Sequence, residues 1–169
     1  MIPLKILFVC TGNQCRSPMA EALFNHMLKE NRIENEYGFH IESCGTGGFI
    51  GCPATREAIQ VMKEHGVDIS RHISRGVSEE ILERADIIFA MGLHHEDILA
   101  MMYPQYSTKT HLLKRYIRAH SSHIPDPYED LEIRDPIGRD IRAYREVYIQ
   151  LKQCFEEIFA IWGIARAPD

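Results

Sequence analysis

Apolar positions along the chain fall into two patterns. Short, nearly continuous runs occur at Leu4 to Val9 (L-K-I-L-F-V) and at Asp86 to Met91 (D-I-I-F-A-M), as expected of buried parallel strands. Phe39 to Ser43 and Thr110 to Leu113 read as two further strands. Between them the spacing turns helical. Ser17-Pro18 reads as an N-cap followed by proline in the first turn, and Ala20, Leu23, Phe24, Met27 and Leu28 behind it share one face. Pro53 is expected to open a helix that Gly66 closes. Ser78 to Arg84 is a short helix, and another around His95 to Met102 stops before Pro104. The clearest helix is the last, where Ile141, Tyr144, Tyr148, Leu151, Phe155, Ile158 and Trp162 recur every three or four residues.

Strands and helices alternating with short connections predict an α/β fold, a parallel sheet of about four strands with helices on both faces. A length of 169 residues fits one domain spanning residues 1–169. There is no internal repeat, low-complexity tract or interdomain linker. In such sheets ligands bind beyond the carboxyl ends of the strands, which directs attention to the segment after the first strand.

Composition narrows the partners. Hydrophobic residues at 45% and charged residues at 25% are ordinary for a globular protein. A net charge of −5 gives no global reason to expect nucleic acid or an anionic membrane. No run approaches the ~18 apolar residues of a membrane span. The N-terminus lacks the basic start and long apolar middle of a signal peptide, so the cytoplasm is the expected location. The five cysteines, Cys10, Cys15, Cys44, Cys52 and Cys154, form an odd set, suited to buried, catalytic or redox-active thiols rather than disulfides.

The segment that carries chemistry is Cys10-Thr11-Gly12-Asn13-Gln14-Cys15-Arg16-Ser17-Pro18. A cysteine ends a strand, and an arginine stands where a helix begins. A loop wrapped this way turns successive backbone N–H groups inward as an anion-binding nest, and the helix adds its unpaired N–H groups and positive dipole end. Arg16 can hold two phosphate oxygens with its planar fork. The same positive surroundings favour a thiolate at Cys10, placed for attack on phosphorus. Gly12 is free to adopt positive φ, and Asn13 can do so more readily than most residues. Such a site needs no metal and no cofactor, because cradle and arginine supply the charge stabilisation.

The run V-C-T-G-N-Q-C-R-S-P-M-A-E resembles the signature of the low-molecular-weight protein tyrosine phosphatases. Ser43-Cys44-Gly45-Thr46 is similar to the family's S-A-G-T segment and Arg71-His72-Ile73-Ser74-Arg75 to its G-H-x-A/S-R segment. The resemblance implies a Rossmann-like fold, a cysteinyl-phosphate intermediate and a phosphorylated protein as substrate. It also implies that Asn13, Ser17, Ser43 and His72 brace the loop. Gly92 departs from the Asp that tends to follow Met in the family.

The family's general acid is the aspartate of an Asp-Pro pair, and this chain has two, Asp126-Pro127-Tyr128 and Asp135-Pro136-Ile137. One carboxyl group can protonate the leaving oxygen and later activate water. Asp135 has the family's spacing to the last helix and Asp126 the better spacing to the Leu112-Leu113 strand; Asp135 is favoured. For the substrate, phosphotyrosine is the leading expectation and phosphoarginine the alternative. Gln14 matches neither the apolar residue of the tyrosine enzymes nor the threonine of the arginine enzymes. Phe49 is expected to wall the pocket by stacking on a flat group, with Tyr128 opposite; Ile137 in that place would make the pocket less aromatic. A thioredoxin-coupled arsenate reductase would need two further cysteines downstream, and residues 53–153 contain none. A non-catalytic phosphate-binding module would not need Cys10.

Other features read as surface or core. His94-His95 and the pair His120 and His123 are expected to be solvated rather than metal ligands. Lys109, Lys114, Arg115 and Arg118 read as a solvated basic stretch, and Met101-Met102 as core.

Overall fold

The computed structural model describes residues 4–31, 38–122 and 130–164. Four parallel strands, β1 (Lys5–Cys10), β2 (His40–Gly45), β3 (Ile87–Ala90) and β4 (Thr110–Leu112), lie in the order β2-β1-β3-β4. The helices are α1 (Arg16–Glu30), α2 (Arg56–Glu64), α3 (Glu79–Arg84), α4 (Leu93–Met102), α5 (Leu113–His120) and α6 (Ile141–Ile161). This is the α/β arrangement expected from the alternating pattern.

Side chains of successive strand residues point to opposite faces, and β1 shows how the two cores are divided. Ile6, Phe8 and Cys10 pack with α1, α2, α5 and α6, whereas Leu7 and Val9 pack with Ile81 and Leu82 of α3 and Leu99 of α4. On the first face the rings of Phe8, Phe24 and Phe155 meet with centroids 5.0–5.9 Å apart, an aromatic cluster worth more than its buried area alone. The long α6 buries Tyr144, Tyr148, Leu151, Phe155 and Ile158 as its spacing predicts, together with Val147, Cys154 and Phe159.

The order of strands positions the site. From β1 the chain crosses to β2 on one side, then returns to β3 on the other, so the winding reverses at β1. That reversal opens a crevice at the carboxyl ends of β1 and β3. Cys10, the last residue of β1 and paired in register with Gly45, stands in it.

Several local readings are corrected. Helix α1 starts at Arg16 with Cys15 as its N-cap, and the Ser17 hydroxyl turns into the loop instead of capping. Helix α2 is opened by Thr55, whose hydroxyl accepts the Ala58 N–H, while Pro53 lies in an isolated antiparallel bridge to Ile73. Leu113 begins α5 rather than ending β4. In the basic stretch, Lys114 donates to the Asp130 carbonyl and to Gln150, Arg115 pairs with Glu96, and Lys109 donates to the Glu83 and Ala85 carbonyls. Met101 and Met102 are 83% and 61% exposed, so they are surface and not core. No helix among the described residues is long and apolar enough to cross a membrane.

Candidate active site

The loop from Cys10 to Arg16 is held from outside through its carbonyl oxygens. Thr46 N–H donates to the Cys10 carbonyl, Gly47 N–H to Thr11 and Thr55 N–H to Gln14, each at 2.9 Å. His72 Nε2 lies 2.7 Å from the Asn13 carbonyl. In a planar trans peptide the C=O and the following N–H point opposite ways. Anchoring these four carbonyls outward therefore turns the N–H groups of Thr11, Gly12, Gln14 and Cys15 toward the interior of the loop. That is the geometry of an oxyanion cradle.

Asn13 is the hub. It is fully buried and adopts φ 53°, a left-handed conformation that costs most residues ~1–2 kcal/mol and that asparagine tolerates best after glycine. Its Nδ2 donates to both Ser17 Oγ and Ser43 Oγ at 2.9 Å, and its Oδ1 accepts the Arg75 N–H at 3.0 Å. Gly12, which could have supplied the positive φ, does not adopt one. Ser43 in turn donates to Glu21 at 2.5 Å. Burial raises the Glu21 carboxyl above its ordinary range, against the pull of that hydrogen bond. The end of β2 must press close to the loop, and a Cβ at Gly45 would stand 2.4 Å from the Thr11 carbonyl oxygen. Only glycine fits there.

Cys10 Sγ lies 3.0 Å from Ser17 Oγ, so the hydroxyl can donate to a thiolate. Arg16 is 6% exposed; its Nη1 donates to the Ile133 carbonyl at 3.1 Å and its Nη2 pairs with Asp135 Oδ2 at 2.9 Å. A guanidinium has five N–H donors, so these two contacts leave donors for an oxyanion. Asp135 Oδ1 accepts the Ile137 N–H at 3.1 Å, closing an Asx turn over Pro136. Cys10, Arg16 and Asp135 share one cleft of about 310 Å³, which Gln14, Phe49 and Ile137 also line. Gln14 Nε2 donates to the Pro53 carbonyl at 3.2 Å, and its Oε1 lies above Gly12. Cys15 is buried with Sγ 3.6 Å from Thr55 Oγ1 and 3.8 Å from Tyr144 OH, and burial pushes its thiol up. Asp126, Tyr128 and His123 lie outside the described residues. Among the described residues no three His, Cys, Asp or Glu side chains converge as metal ligands would.

His95 overturns its expected place in solvent. It is 2% exposed, and its Nε2 lies 2.8 Å from Thr11 Oγ1, at a sequence separation of 84. Burial, with the Arg16 charge second, lowers its pKa from 6.5 to about 4. Its Nδ1 is buried with no hydrogen-bond partner among the described residues, so a proton added there would go unsatisfied. Sequence reasoning also missed Glu21, although it lies one turn after Ser17 on the same helical face, and Arg75, whose Nε donates to the Ser43 carbonyl at 2.8 Å.

The His95 shift predicts a pH effect. The unfolded chain takes up the imidazole proton first as pH falls, so this contribution to stability is complete above about pH 6.5 and is lost toward pH 4. In urea unfolding, wild type should lose about 2 kcal/mol more than His95→Gln between pH 7 and about pH 5. Equal losses in the two proteins would contradict a buried neutral imidazole.

Comparison with known proteins places this geometry. Residues 5–163 match the family described as low molecular weight phosphotyrosine protein phosphatase. The protein-arginine-phosphatase of Bacillus subtilis is 30% identical over 92% of this chain and 94% of its own length. The low molecular weight protein-tyrosine-phosphatase Etp of Escherichia coli is 31% identical over 90% of each. Among solved structures, a mutant of YwlE from Bacillus subtilis superposes with a TM-score of 0.81 at 29% identity, covering 95% of this chain and 99% of that one. A low molecular weight protein tyrosine phosphatase from T. tengcongensis gives 0.79 at 32% identity, over 93% and 98%. With the match running from the start of β1 past the end of α6, the chain belongs to the low molecular weight phosphotyrosine protein phosphatase family.

Proposed function

We propose that the protein hydrolyses phosphate from a protein side chain, phosphotyrosine first, through a phosphate bound covalently to Cys10. The observation that carries this reading is the convergence of Cys10, Arg16 and Asp135 on one cleft floored by inward N–H groups. Loop N–H groups and Arg16 hold the three non-bridging oxygens and stabilise the charge they carry in the transition state. Cys10 Sγ forms the S–P bond as the bond from phosphorus to the tyrosine oxygen breaks, and Asp135 gives that oxygen a proton. Water then attacks phosphorus while Asp135 takes its proton. The S–P bond breaks, Cys10 leaves as a thiolate that accepts from Ser17 Oγ, and inorganic phosphate departs. Phe49 stacks on the flat side chain at the mouth.

Two observations favour phosphoarginine as the second reading. Beside Phe49 the cleft is lined by the aliphatic Ile137. Gln14 lines the cleft with its amide nitrogen held by the Pro53 carbonyl, which leaves its oxygen as an acceptor to which a guanidinium would donate and a phenol ring would not. Parallel kinetics on phosphotyrosyl and phosphoarginyl peptides decide between them; a larger kcat/KM for phosphoarginine would replace the first reading. In either case Cys10→Ser should abolish turnover while retaining phosphate binding. Arg16→Lys should be severely impaired, because one point charge does not replace a bidentate fork. With a poor leaving group, Asp135→Ala should lower kcat by ~10²–10⁴-fold and Asp126→Ala only mildly. Turnover by Cys10→Ser would reject the mechanism, and the reverse ranking of the two aspartates would move the acid to Asp126.

Cys15 lines the same cleft as Cys10, which supports a redox role. Peroxide would oxidise the Cys10 thiolate to a sulfenic acid, and attack by the Cys15 sulfur would expel water and form a disulfide. Treated enzyme should recover activity with dithiothreitol, whereas Cys15→Ser should be inactivated irreversibly. Full recovery of Cys15→Ser would remove Cys15 from that role.

A further inference from the structure

Helix α4 has as its N-cap Gly92, a residue with no side chain to cap it. The missing acceptor comes from elsewhere in the chain. Glu132 Oε1 accepts the Leu93 N–H at 2.7 Å, across a sequence separation of 39. The backbone at Gly92, with φ −154° and ψ 163°, is extended and open to any residue, so conformation does not explain the glycine. A Cβ there would stand 2.8 Å from Glu132 Oε1, so a side chain at this position would push the carboxylate away from the Leu93 N–H. The bare N-cap and the distant carboxylate are two halves of one contact.

The contact grips the segment that carries Asp135. Beside it, Ile133 N–H donates to the Met91 carbonyl at 2.8 Å, and the Ile133 carbonyl accepts Arg16 Nη1 at 3.1 Å. The segment is thereby fastened at consecutive residues on either side of Gly92, at the carboxyl end of β3. Two residues after Ile133, Asp135 reaches Arg16 Nη2. Without the Glu132 contact, the Ile133 bonds and the Lys114 bond to the Asp130 carbonyl would have to fix both the position and the tilt of this segment. The geometry points to Glu132 as a positioning residue that aims Asp135 into the cleft by capping α4 from a distance, with Gly92 as its seat. This rests on the reading of Asp135 as the general acid.

A tether and a plain helix cap differ in what restores them. Glu132→Ala should lower kcat on phenyl phosphate, a poor leaving group, by about tenfold or more, with KM and turnover of p-nitrophenyl phosphate changed by less than about threefold. Glu132→Gln keeps the acceptor oxygen and should rescue most of the loss. The double variant Gly92→Ser/Glu132→Ala gives α4 a local cap; it should recover thermal stability while kcat on phenyl phosphate stays low. Recovery of kcat together with stability would overturn the tether and leave only a cap. Asp135→Ala run alongside separates the two claims. If it slows phenyl phosphate and Glu132→Ala does not, the tether alone fails; if it does not, the acid assignment and the tether fail together.

Discussion

The structure depends on keeping one short loop inside out. Backbone carbonyls that would ordinarily alternate in direction are drawn outward, by Thr46, Gly47, Thr55 and His72, so that N–H dipoles crowd together inside. Crowded like dipoles repel, and a buried N–H without an acceptor is costly. Asn13 makes the arrangement tolerable. It accepts the left-handed conformation and ties α1, β2 and the Arg75 backbone to one side chain through three hydrogen bonds. Each such bond contributes only ~0.5–1.5 kcal/mol net, but breaking any of them would strand a buried polar group.

The surroundings extend the same logic outward. Ser43 links Asn13 to Glu21, and Arg75, which donates to the Ser43 carbonyl, is itself held by Glu42. Burial works to raise the Glu42 carboxyl, but Arg84 and Arg75 outweigh it and hold the group below the ordinary carboxylate range. On the far side of the loop a neutral His95 supports Thr11 without adding charge beside Arg16. Among the described residues the cradle thus carries the Arg16 guanidinium, paired with Asp135, within a shell of hydrogen-bond donors and ion pairs. That suits an anionic ligand, since preorganised dipoles need not reorient as it binds.

The parts legible in the sequence were those encoded locally. The strand before Cys10, the loop after it and the periodic face of α6 each announce themselves within a few residues. Helix α5 was missed although Leu113, Tyr116 and Ile117 have helical spacing, because the basic residues between them suggested solvated surface. His95 and Glu132 were opaque for a different reason. Each acts on a partner far along the chain, Thr11 and Leu93 respectively, and only the winding of the sheet brings those partners together. Gly92 shows the same limit: its departure from the family pattern was visible, but the distant carboxylate that lies against it was not.

If Asn13 holds the cradle ready before any ligand arrives, phosphate affinity measures this directly. Isothermal titration of inorganic phosphate into Asn13→Ala and wild type compares the two. If Asn13 preorganises the loop, Kd should rise by roughly 10–100-fold, reflecting ~1.4–2.7 kcal/mol of lost preorganisation, while the far-ultraviolet circular dichroism spectrum stays that of the folded protein. An unchanged Kd in a folded Asn13→Ala protein would contradict the account, since the loop would then keep its shape without the residue said to impose it.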